Sequence, residues 1–174
     1  VNATSLEMGH GLSKVESLNE ESGPIGVQLF DHRPQAMADA ARRAEASGAF
    51  LIDINMGCPV RKIARKGGGS GLIRDPGLAI QIVEAVANAV AVPVTVKTRL
   101  GWCGSDADPV HWCQQLEQAG AQLLTLHGRT REQGFKGAAD WTAITKVRKA
   151  LTIPLIANGD ITVSYTHLTL PTKA

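Results

Sequence analysis

The stretch Leu51-Ile52-Asp53-Ile54-Asn55-Met56-Gly57-Cys58-Pro59 decides the fold of this chain. Its first six residues are largely apolar and include β-branched side chains, which is typical of a short buried parallel strand. Gly57 and Pro59 break that strand, so Cys58 is predicted to lie where the strand stops. In α/β barrels the functional groups collect at the carboxyl ends of the strands, because the loops that follow converge there on a rigid base. The stretch therefore predicts a parallel strand that carries a thiol to a functional site.

The same pattern recurs along the chain. From Pro24 onward, short apolar runs alternate with longer amphipathic ones, which predicts βα units and a parallel sheet. We predict strands at 25–30, 50–56, 92–97, 123–127 and 153–158, and helices at 34–47, from 76, at 109–119 and at 141–150. Pro76 and Pro109 suit the first position of a helix, Asp140 is a plausible N-cap, and Gly48 suits a helix end.

Periodicity alone does not distinguish an open, doubly wound sheet from a closed barrel. Polar or reactive residues stand at the ends of successive predicted strands, namely Gln28, Cys58, Lys97, His127 and Asn158. An open sheet concentrates its site at one switch point, whereas a barrel gathers groups from many strand ends. This distribution favours a barrel.

The composition argues against several classes of protein. The 174 residues are 44% hydrophobic, which supports a buried core rather than disorder. A net charge of +2 argues weakly against a protein that coats nucleic acid. Three cysteines without a Cys-x-x-Cys pair favour a reducing cytoplasmic location. We expect no membrane span, because no apolar run approaches ~20 residues, and no metal site, because the five histidines are scattered.

A basic segment follows Cys58 and contains Arg61, Lys62, Arg65 and Lys66. Cations beside a thiol favour its thiolate form and can steer a phosphate-bearing ligand. The alternative is that Cys58 is a small buried hydrophobic residue and that the basic run is a solvated loop. The residues by themselves leave both interpretations open.

Five motifs, in order, resemble those of the tRNA-dihydrouridine synthases, most of all the bacterial branch of that family. They are Val27-Gln28-Leu29; Asp53-Ile54-Asn55-Met56-Gly57-Cys58-Pro59 with Lys62, Lys66-Gly67-Gly68-Gly69-Ser70-Gly71-Leu72 and Asp75-Pro76; Val96-Lys97-Thr98-Arg99-Leu100-Gly101-Trp102; Leu126-His127-Gly128-Arg129-Thr130-Arg131; and Ile156-Ala157-Asn158-Gly159-Asp160-Ile161. The resemblance implies an α/β fold of the TIM (β/α)8 barrel type, with about six of its eight βα units in this chain.

The resemblance also implies an FMN enzyme that reduces a uridine of tRNA to 5,6-dihydrouridine, with NADPH or NADH as the reductant. Reduction of the C5–C6 bond needs a hydride at one carbon and a proton at its neighbour, and a flavin can supply the hydride. The family's proton donor maps onto Cys58. A thiol suits this role because it is mostly protonated at neutral pH and still gives up its proton readily.

Other residues of the motifs are implied to hold the cofactor and the tRNA. The predicted FMN contacts are Gln28, Lys97, His127, Asn158, Gly159 and Asp160. Lys97 would place a positive charge beside the flavin N1 and O2 region, where negative charge accumulates on reduction. The predicted contacts to tRNA phosphates are Arg61, Lys62, Arg65, Lys66, Arg129 and Arg131. The glycine-rich segment 67–71 has no Walker pattern, and the resemblance makes it a mobile loop near the substrate.

The two ends of the chain fit the family less well. Glu7 and Met8 could end a barrel strand, although residues 1–23 match poorly. Residues 162–174 are rich in threonine, lack a helical period and depart from the family, so we interpret them as a non-native tail. The predicted domain is a partial FMN-binding barrel at residues 1–161. Because a complete barrel takes ~250 residues, we expect this chain alone to be inactive. We expect the full-length protein to be a monomer.

Two other functions stay open. Dihydroorotate and dihydropyrimidine dehydrogenases share the FMN barrel and a Cys-Pro loop, although the basic residues around Cys58 and the turn at Trp102 favour the tRNA enzyme. A polymer substrate would make activity strongly dependent on salt. The other alternative is a catalytically dead, RNA-binding barrel fragment, which would purify without the yellow colour of a flavin.

Overall fold

The computed structural model describes residues 1–10, 15, 18, 23–60, 64, 67–104 and 107–161, in which parallel strands alternate with helices. In chain order the elements are helix α1 (Ala3–Glu7), strand β1 (Gly26–Leu29), helix α2 (Pro34–Ala46), strand β2 (Leu51–Asn55), a 3-10 helix (Gly69–Arg74), helix α3 (Pro76–Ala87), strand β3 (Val94–Arg99), helix α4 (Pro109–Gln118), strand β4 (Leu123–His127), helix α5 (Trp141–Ala150) and strand β5 (Leu155–Asn158). Asp75, Asp108 and Asp140 cap α3, α4 and α5, each accepting a hydrogen bond from the backbone N–H three residues later.

The strands pair in the order of the chain. β1 to β5 lie side by side in sequence, and all four neighbouring pairs are parallel. A doubly wound sheet would reverse its strand order at a switch point, and the described strands contain no such reversal. The prediction of an α/β barrel is confirmed, and the fold is an incomplete TIM (β/α)8 barrel.

A short N-terminal segment extends the sheet beyond β1. Asn2 forms a parallel bridge with Phe30, and the Phe30 amide donates to the Val1 carbonyl at 3.0 Å. The chain then enters α1, which the Asn2 side chain caps. The prediction that Glu7 and Met8 end a strand is wrong, because Glu7 ends this helix, and the extended residue that pairs with Phe30 is Asn2, before the helix.

Most element boundaries lie within two residues of the prediction. Strand 123–127 and helix 141–150 were predicted with the bounds that the structure has. β3 continues two residues beyond the predicted end at Lys97, to Arg99. Arg99 is tolerated inside the sheet because its guanidinium donates to the carbonyls of Gly57 and Gly134, each at 2.9 Å.

The face of the sheet that packs against the helices is apolar and excluded from solvent. Alternate strand residues such as Ile54, Val96 and Leu124 are fully buried, and they share one core with helix residues such as Met37 and Leu116. This packing fixes the relative positions of the strands, and with them the positions of their carboxyl ends.

The described part of the chain offers neither a metal site nor a membrane span. Among these residues, no three His, Cys, Asp or Glu side chains are grouped so as to hold a metal ion. None of the helices described here is long and apolar enough to cross a bilayer.

Candidate active site

A cleft of about 620 Å³ opens at the carboxyl ends of the strands. Strand register explains which residues meet there, since Asn55 pairs with Lys97 and His127 pairs with Asn158. Paired residues of neighbouring parallel strands point to the same face, so several strands deliver polar side chains side by side. The cleft is lined by Gln28, Asn55, Gly57, Cys58, Pro59, Lys97, Arg99, His127, Arg129, Phe135, Asn158, Gly159, Asp160 and Ile161.

The backbone of Cys58 is held from both sides. Asn55 Oδ1 accepts hydrogen bonds from the amides of Gly57 and Cys58, at 3.1 and 3.0 Å, which closes a tight turn directly after β2. The Cys58 carbonyl accepts a hydrogen bond from the Ser70 amide at 3.2 Å, in the 3-10 helix. The half-buried thiol is therefore presented to the cleft from a fixed backbone.

A chain of hydrogen bonds behind the cleft orients Asn55. Asp53 Oδ1 accepts from the Thr95 hydroxyl and Asp53 Oδ2 accepts from Gln28 Nε2, both at 2.6 Å. Gln28 Oε1 in turn accepts from Asn55 Nδ2 at 2.9 Å. A carboxylate only accepts, so Asp53 fixes which end of the Gln28 amide faces it, and Gln28 then fixes the Asn55 amide. As a result, Asn55 Oδ1 faces the backbone amides of Gly57 and Cys58.

The charges beneath the cleft are partly desolvated. Burial raises the pKa of Asp53, and the hydrogen bonds from Gln28 and Thr95 and the charge of Lys97 oppose that rise only in part. Burial also lowers the pKa of Lys97, and the positive charge of Arg99 acts in the same direction. Lys97 forms no ion pair within 4.0 Å among the described residues. The cleft thus contains a cation that an anionic ligand would stabilise.

His127 presents a hydrogen-bond acceptor that has no partner among the described residues. Its Nδ1 lies 2.6 Å from Asn158 Oδ1. An amide oxygen only accepts, so Nδ1 carries the proton and Nε2 is the acceptor. Nε2 is buried and makes no hydrogen bond to the part of the chain described here. Burial lowers the pKa of His127, and the positive charges of Arg99, Lys97 and Arg129 add to this effect, so the neutral ring is favoured.

Gly159 keeps the turn after β5 close to that ring. Its φ of 113° lies in a region that side chains disfavour. A Cβ at this position would also lie 3.1 Å from Ala139 Cβ and 3.6 Å from His127 Nε2. A glycine at this wall of the cleft therefore avoids both the backbone strain and the close contact with Ala139.

Arg129 and Asp160 form an internal clip between the loops after β4 and β5. Arg129 Nη2 donates to both carboxylate oxygens of Asp160, at 2.6 and 2.9 Å, and its guanidinium also donates to the carbonyls of Lys136 and Gly137. The Ala139 amide donates to Asp160 Oδ2 at 2.6 Å, and this bond and the Arg129 pair lower the pKa of Asp160. The Arg129 side chain is 7% exposed. The structure places Arg129 inside the fold rather than on an open surface.

A family model described as dihydrouridine synthase (Dus) matches residues 6–167 of this chain. The chain belongs to the dihydrouridine synthase family. It is 56% identical over 161 residues to a probable tRNA-dihydrouridine synthase 1 of Synechocystis sp., a match that covers 92% of this chain and 45% of that relative. It is 47% identical over 150 residues to tRNA-dihydrouridine synthase B of Vibrio vulnificus, covering 86% of this chain and 47% of that one. The chain thus spans about half the length of the curated relatives it matches.

Solved structures of other proteins share the fold of this chain. The chain superposes on a phosphonopyruvate hydrolase in complex with oxalate and Mg²⁺ with a TM-score of 0.57, covering 96% of this chain and 59% of that one. The sequence identity is 16%, so this likeness concerns the architecture alone.

The structure gathers most of the residues that the sequence singled out. Cys58 and all six predicted FMN contacts line one cleft, as does Arg129. Arg131 lies outside it and stacks on Trp102. Arg61, Lys62, Arg65, Lys66 and the predicted tail 162–174 lie outside the described residues. Residues 69–71 of the expected mobile loop begin the 3-10 helix Gly69–Arg74, in which Gly69, Ser70 and Leu72 are buried.

Sequence reasoning did not assign roles to Asp53, Asn55 or Arg99. For Asn55 a signal was available, because an asparagine two residues before a glycine and three before the cysteine has the spacing of a side chain that caps a turn. Asp53 and Arg99 act on partners from other strands and loops, which only the register of the sheet brings together.

Proposed function

We propose that this chain is the barrel part of a tRNA-dihydrouridine synthase, an oxidoreductase that reduces a uridine of tRNA to 5,6-dihydrouridine with FMN and NADPH. Membership of the dihydrouridine synthase family supports the class of reaction. The observation that carries the proposal is the convergence of Cys58, Lys97, His127 and Asn158 on one cleft at the strand ends.

The cleft has the properties that an FMN site needs. Its volume of about 620 Å³ lies in the range of small-molecule and cofactor pockets. His127 Nε2 is a buried acceptor without a partner among the described residues, which a donor on a ligand would satisfy. Gln28, Lys97, His127, Asn158, Gly159 and Asp160 would hold the cofactor. When bound and reduced by NADPH, FMN supplies the hydride for one carbon of the uracil C5–C6 bond.

Lys97 provides the positive charge of this site. Its ammonium is half-buried, lacks an ion pair among the described residues and faces the cleft. A fixed cation in a partly desolvated site stabilises negative charge more strongly than a solvated one does. We assign Lys97 to the stabilisation of anionic ligand groups at the cleft floor.

Cys58 is the proton donor in this proposal. The thiol lines the cleft, and its backbone is fixed by Asn55 Oδ1 and the Ser70 amide. Proton transfer in a transition state requires such fixed placement, because small displacements of a reacting group are costly. The thiol gives its proton to the uracil carbon beside the one that receives the hydride. Cys113 cannot take this role, because it is fully buried in α4 and burial raises its pKa to about 12.

The tRNA would lie across the mouth of the cleft in a cytoplasmic enzyme. The basic residues of segment 61–66 and Arg131 follow strands whose carboxyl ends form this mouth, and they are proposed to hold phosphates. Arg129 is more suited to hold the wall of the cleft, because its guanidinium is engaged by Asp160, Lys136 and Gly137.

The experiment that tests the proposal is Cys58→Ala in the full-length protein, with Cys113→Ala as the matched control. We expect Cys58→Ala to retain FMN and NADPH oxidation and to form at least about 100-fold less dihydrouridine in tRNA, as expected for the loss of a general acid. Cys113→Ala should form dihydrouridine at the rate of the folded wild type. Mass spectrometry of digested tRNA measures the product. Wild-type amounts of dihydrouridine from Cys58→Ala would refute the assignment of the proton donor.

A further inference from the structure

Three loops at the carboxyl end of the sheet meet on the indole ring of Trp102. Trp102 lies in the loop after β3, Arg74 ends the 3-10 helix after β2, and Arg131 lies in the loop after β4. The guanidinium carbon of Arg74 is 4.9 Å from the ring centroid, and that of Arg131 is 4.7 Å away. Both distances are within the range of cation–π stacking. Two arginines from different loops thus share one aromatic ring.

The loops that carry this stack are tied together by their backbones. The Arg131 amide donates to the Gly101 carbonyl, and the Glu132 amide donates to the Trp102 carbonyl, both at 3.0 Å. The half-buried ring and Arg131 therefore hold a defined relative position, and Arg74 adds an exposed guanidinium to it. An arginine stacked on a ring still presents its N–H groups at the edge of the guanidinium plane.

Neither of the two arginines has a carboxylate partner among the described residues. No ion pair within 4.0 Å joins Arg74 or Arg131 to any residue in this part of the chain. The nearby Asp75 and Asp108 are engaged as helix caps, accepting from the amides of Leu78 and His111. Nε of Arg131 is buried and has no hydrogen-bond partner within the described ranges. Two like charges on one ring repel each other, so an anion would complete this arrangement.

A second cleft lies beside the stack and is separate from the candidate active site. It measures about 370 Å³, and its walls include Arg74, Trp102 and His111. The two clefts share no lining residue among those described. The anion would therefore bind outside the FMN cleft, at the same end of the barrel.

We infer that Arg74, Trp102 and Arg131 form a clamp for a phosphodiester of the RNA backbone, next to the site where the uridine enters. The inference rests on the proposed function, which supplies the RNA. Stacked arginines that lack a carboxylate partner among the described residues match phosphate oxygens in shape and charge. The clamp holds the backbone without reading its sequence, so it sets the position of the RNA rather than the choice of base.

The test compares tRNA binding by the full-length protein and its variants at several salt concentrations. The clamp variants are Arg74→Gln, Arg131→Gln and Trp102→Leu. The matched control is Arg43→Gln, because Arg43 is also exposed and has no ion pair among the described residues, and it lies in the last turn of α2, which leads toward the amino ends of the strands. Thermal unfolding and flavin content establish that each variant is folded. If a glutamine variant fails to fold, Arg74→Lys and Arg131→Lys replace it, because they retain the charge and lose the planar stack. These lysine variants should bind tRNA more weakly with the wild-type salt slope, and wild-type affinity in both would overturn the inference.

The expected result is a weaker and less salt-dependent complex. Removing one phosphate contact should weaken tRNA binding roughly threefold and reduce the slope of log Kd against log salt by about 0.7 to 0.9. Trp102→Leu should also weaken binding although the net charge is unchanged, because the arginines lose their common support. Arg43→Gln should leave the slope near that of the wild type. Wild-type slopes in both glutamine variants, together with wild-type affinity in Trp102→Leu, would overturn the inference.

Two further outcomes distinguish the clamp from a small-anion site and from the proposed function itself. Inorganic phosphate added as a competitor tests for a small-anion site: displacement of tRNA at low millimolar phosphate, with unchanged salt slopes in the variants, would overturn the RNA clamp. A wild-type protein that forms no dihydrouridine, but binds tRNA through the clamp residues, would refute the proposed function and support the clamp. Normal dihydrouridine formation with unchanged slopes would refute the clamp alone.

Discussion

Val96 and Lys97 are neighbours in β3, yet they belong to opposite faces of the sheet. Val96 is fully buried in the core that the strands share with the helices. Lys97 lines the candidate active site, and burial lowers its pKa. Side chains of a strand alternate between the two faces, so one residue along the chain separates packing from chemistry. Substitutions on the helix face should therefore change stability, and substitutions on the cleft face should change binding and reactivity.

The largest expected effect is on the helix face. Leu124→Ala should lower the free energy of unfolding by about 2–5 kcal/mol, because it empties space in a fully buried core. Leu123→Ala is the matched control, since Leu123 is only half-buried and lies on the other face of the same strand. Urea unfolding measures both. A folded Leu124→Ala protein with normal stability and weak FMN binding would show that the faces are wrongly assigned.

The next largest expected effect is on the reaction rate, and it comes from a substitution on the cleft face. Asn55→Ala removes the acceptor that holds the amides of Gly57 and Cys58, so the thiol should lose its placement. We expect about a 100-fold lower rate of dihydrouridine formation, the size of effect that a misplaced reacting group produces. Asn88→Ala, at the end of α3, is the control. Single-turnover kinetics measure the rate. A rate near that of the wild type would show that Asn55 does not position the Cys58 thiol.

The smallest effect concerns pH. Burial lowers the pKa of His127 below its unfolded value, so between these two values the unfolded state binds more protons than the folded state. Stability should consequently fall as the pH drops through the ordinary histidine range near about 6.5. His127→Gln should make the unfolding free energy less dependent on pH in this window. An identical pH dependence in His127→Gln and the wild type would argue against a neutral, buried ring.

Much of the architecture could be predicted because local patterns determine it. Asp140 and the amphipathic run after it defined α5, and the apolar run 123–127 defined β4. The alternation of strands and helices, together with functional residues at successive strand ends, also predicted the barrel. These signals lie within short segments, so tertiary contacts did not have to be known.

The side-chain contacts of the candidate site could not be predicted, because they join residues that lie far apart in the chain. Arg129 stands in a basic motif and was predicted to contact tRNA, but its ion-pair partner Asp160 is 31 residues away. The hydrogen bonds from Gln28 to Asp53 and from Thr95 to Asp53 exist only in the observed strand register. The predicted contacts in 61–66 lie outside the described residues and stay predictions.

The most direct test of the claim that β3 has a packing face and a binding face compares the FMN dissociation constants of Val96→Ala and Lys97→Met. Flavin fluorescence measures both constants on folded full-length protein. Lys97→Met should bind FMN at least about tenfold more weakly, because a hydrogen bond to a charged group contributes about 1.5–3 kcal/mol. Val96→Ala should unfold more easily and still bind FMN with the wild-type Kd. Equal Kd values for Lys97→Met and the wild type, or a weaker Kd for Val96→Ala alone, would contradict the account.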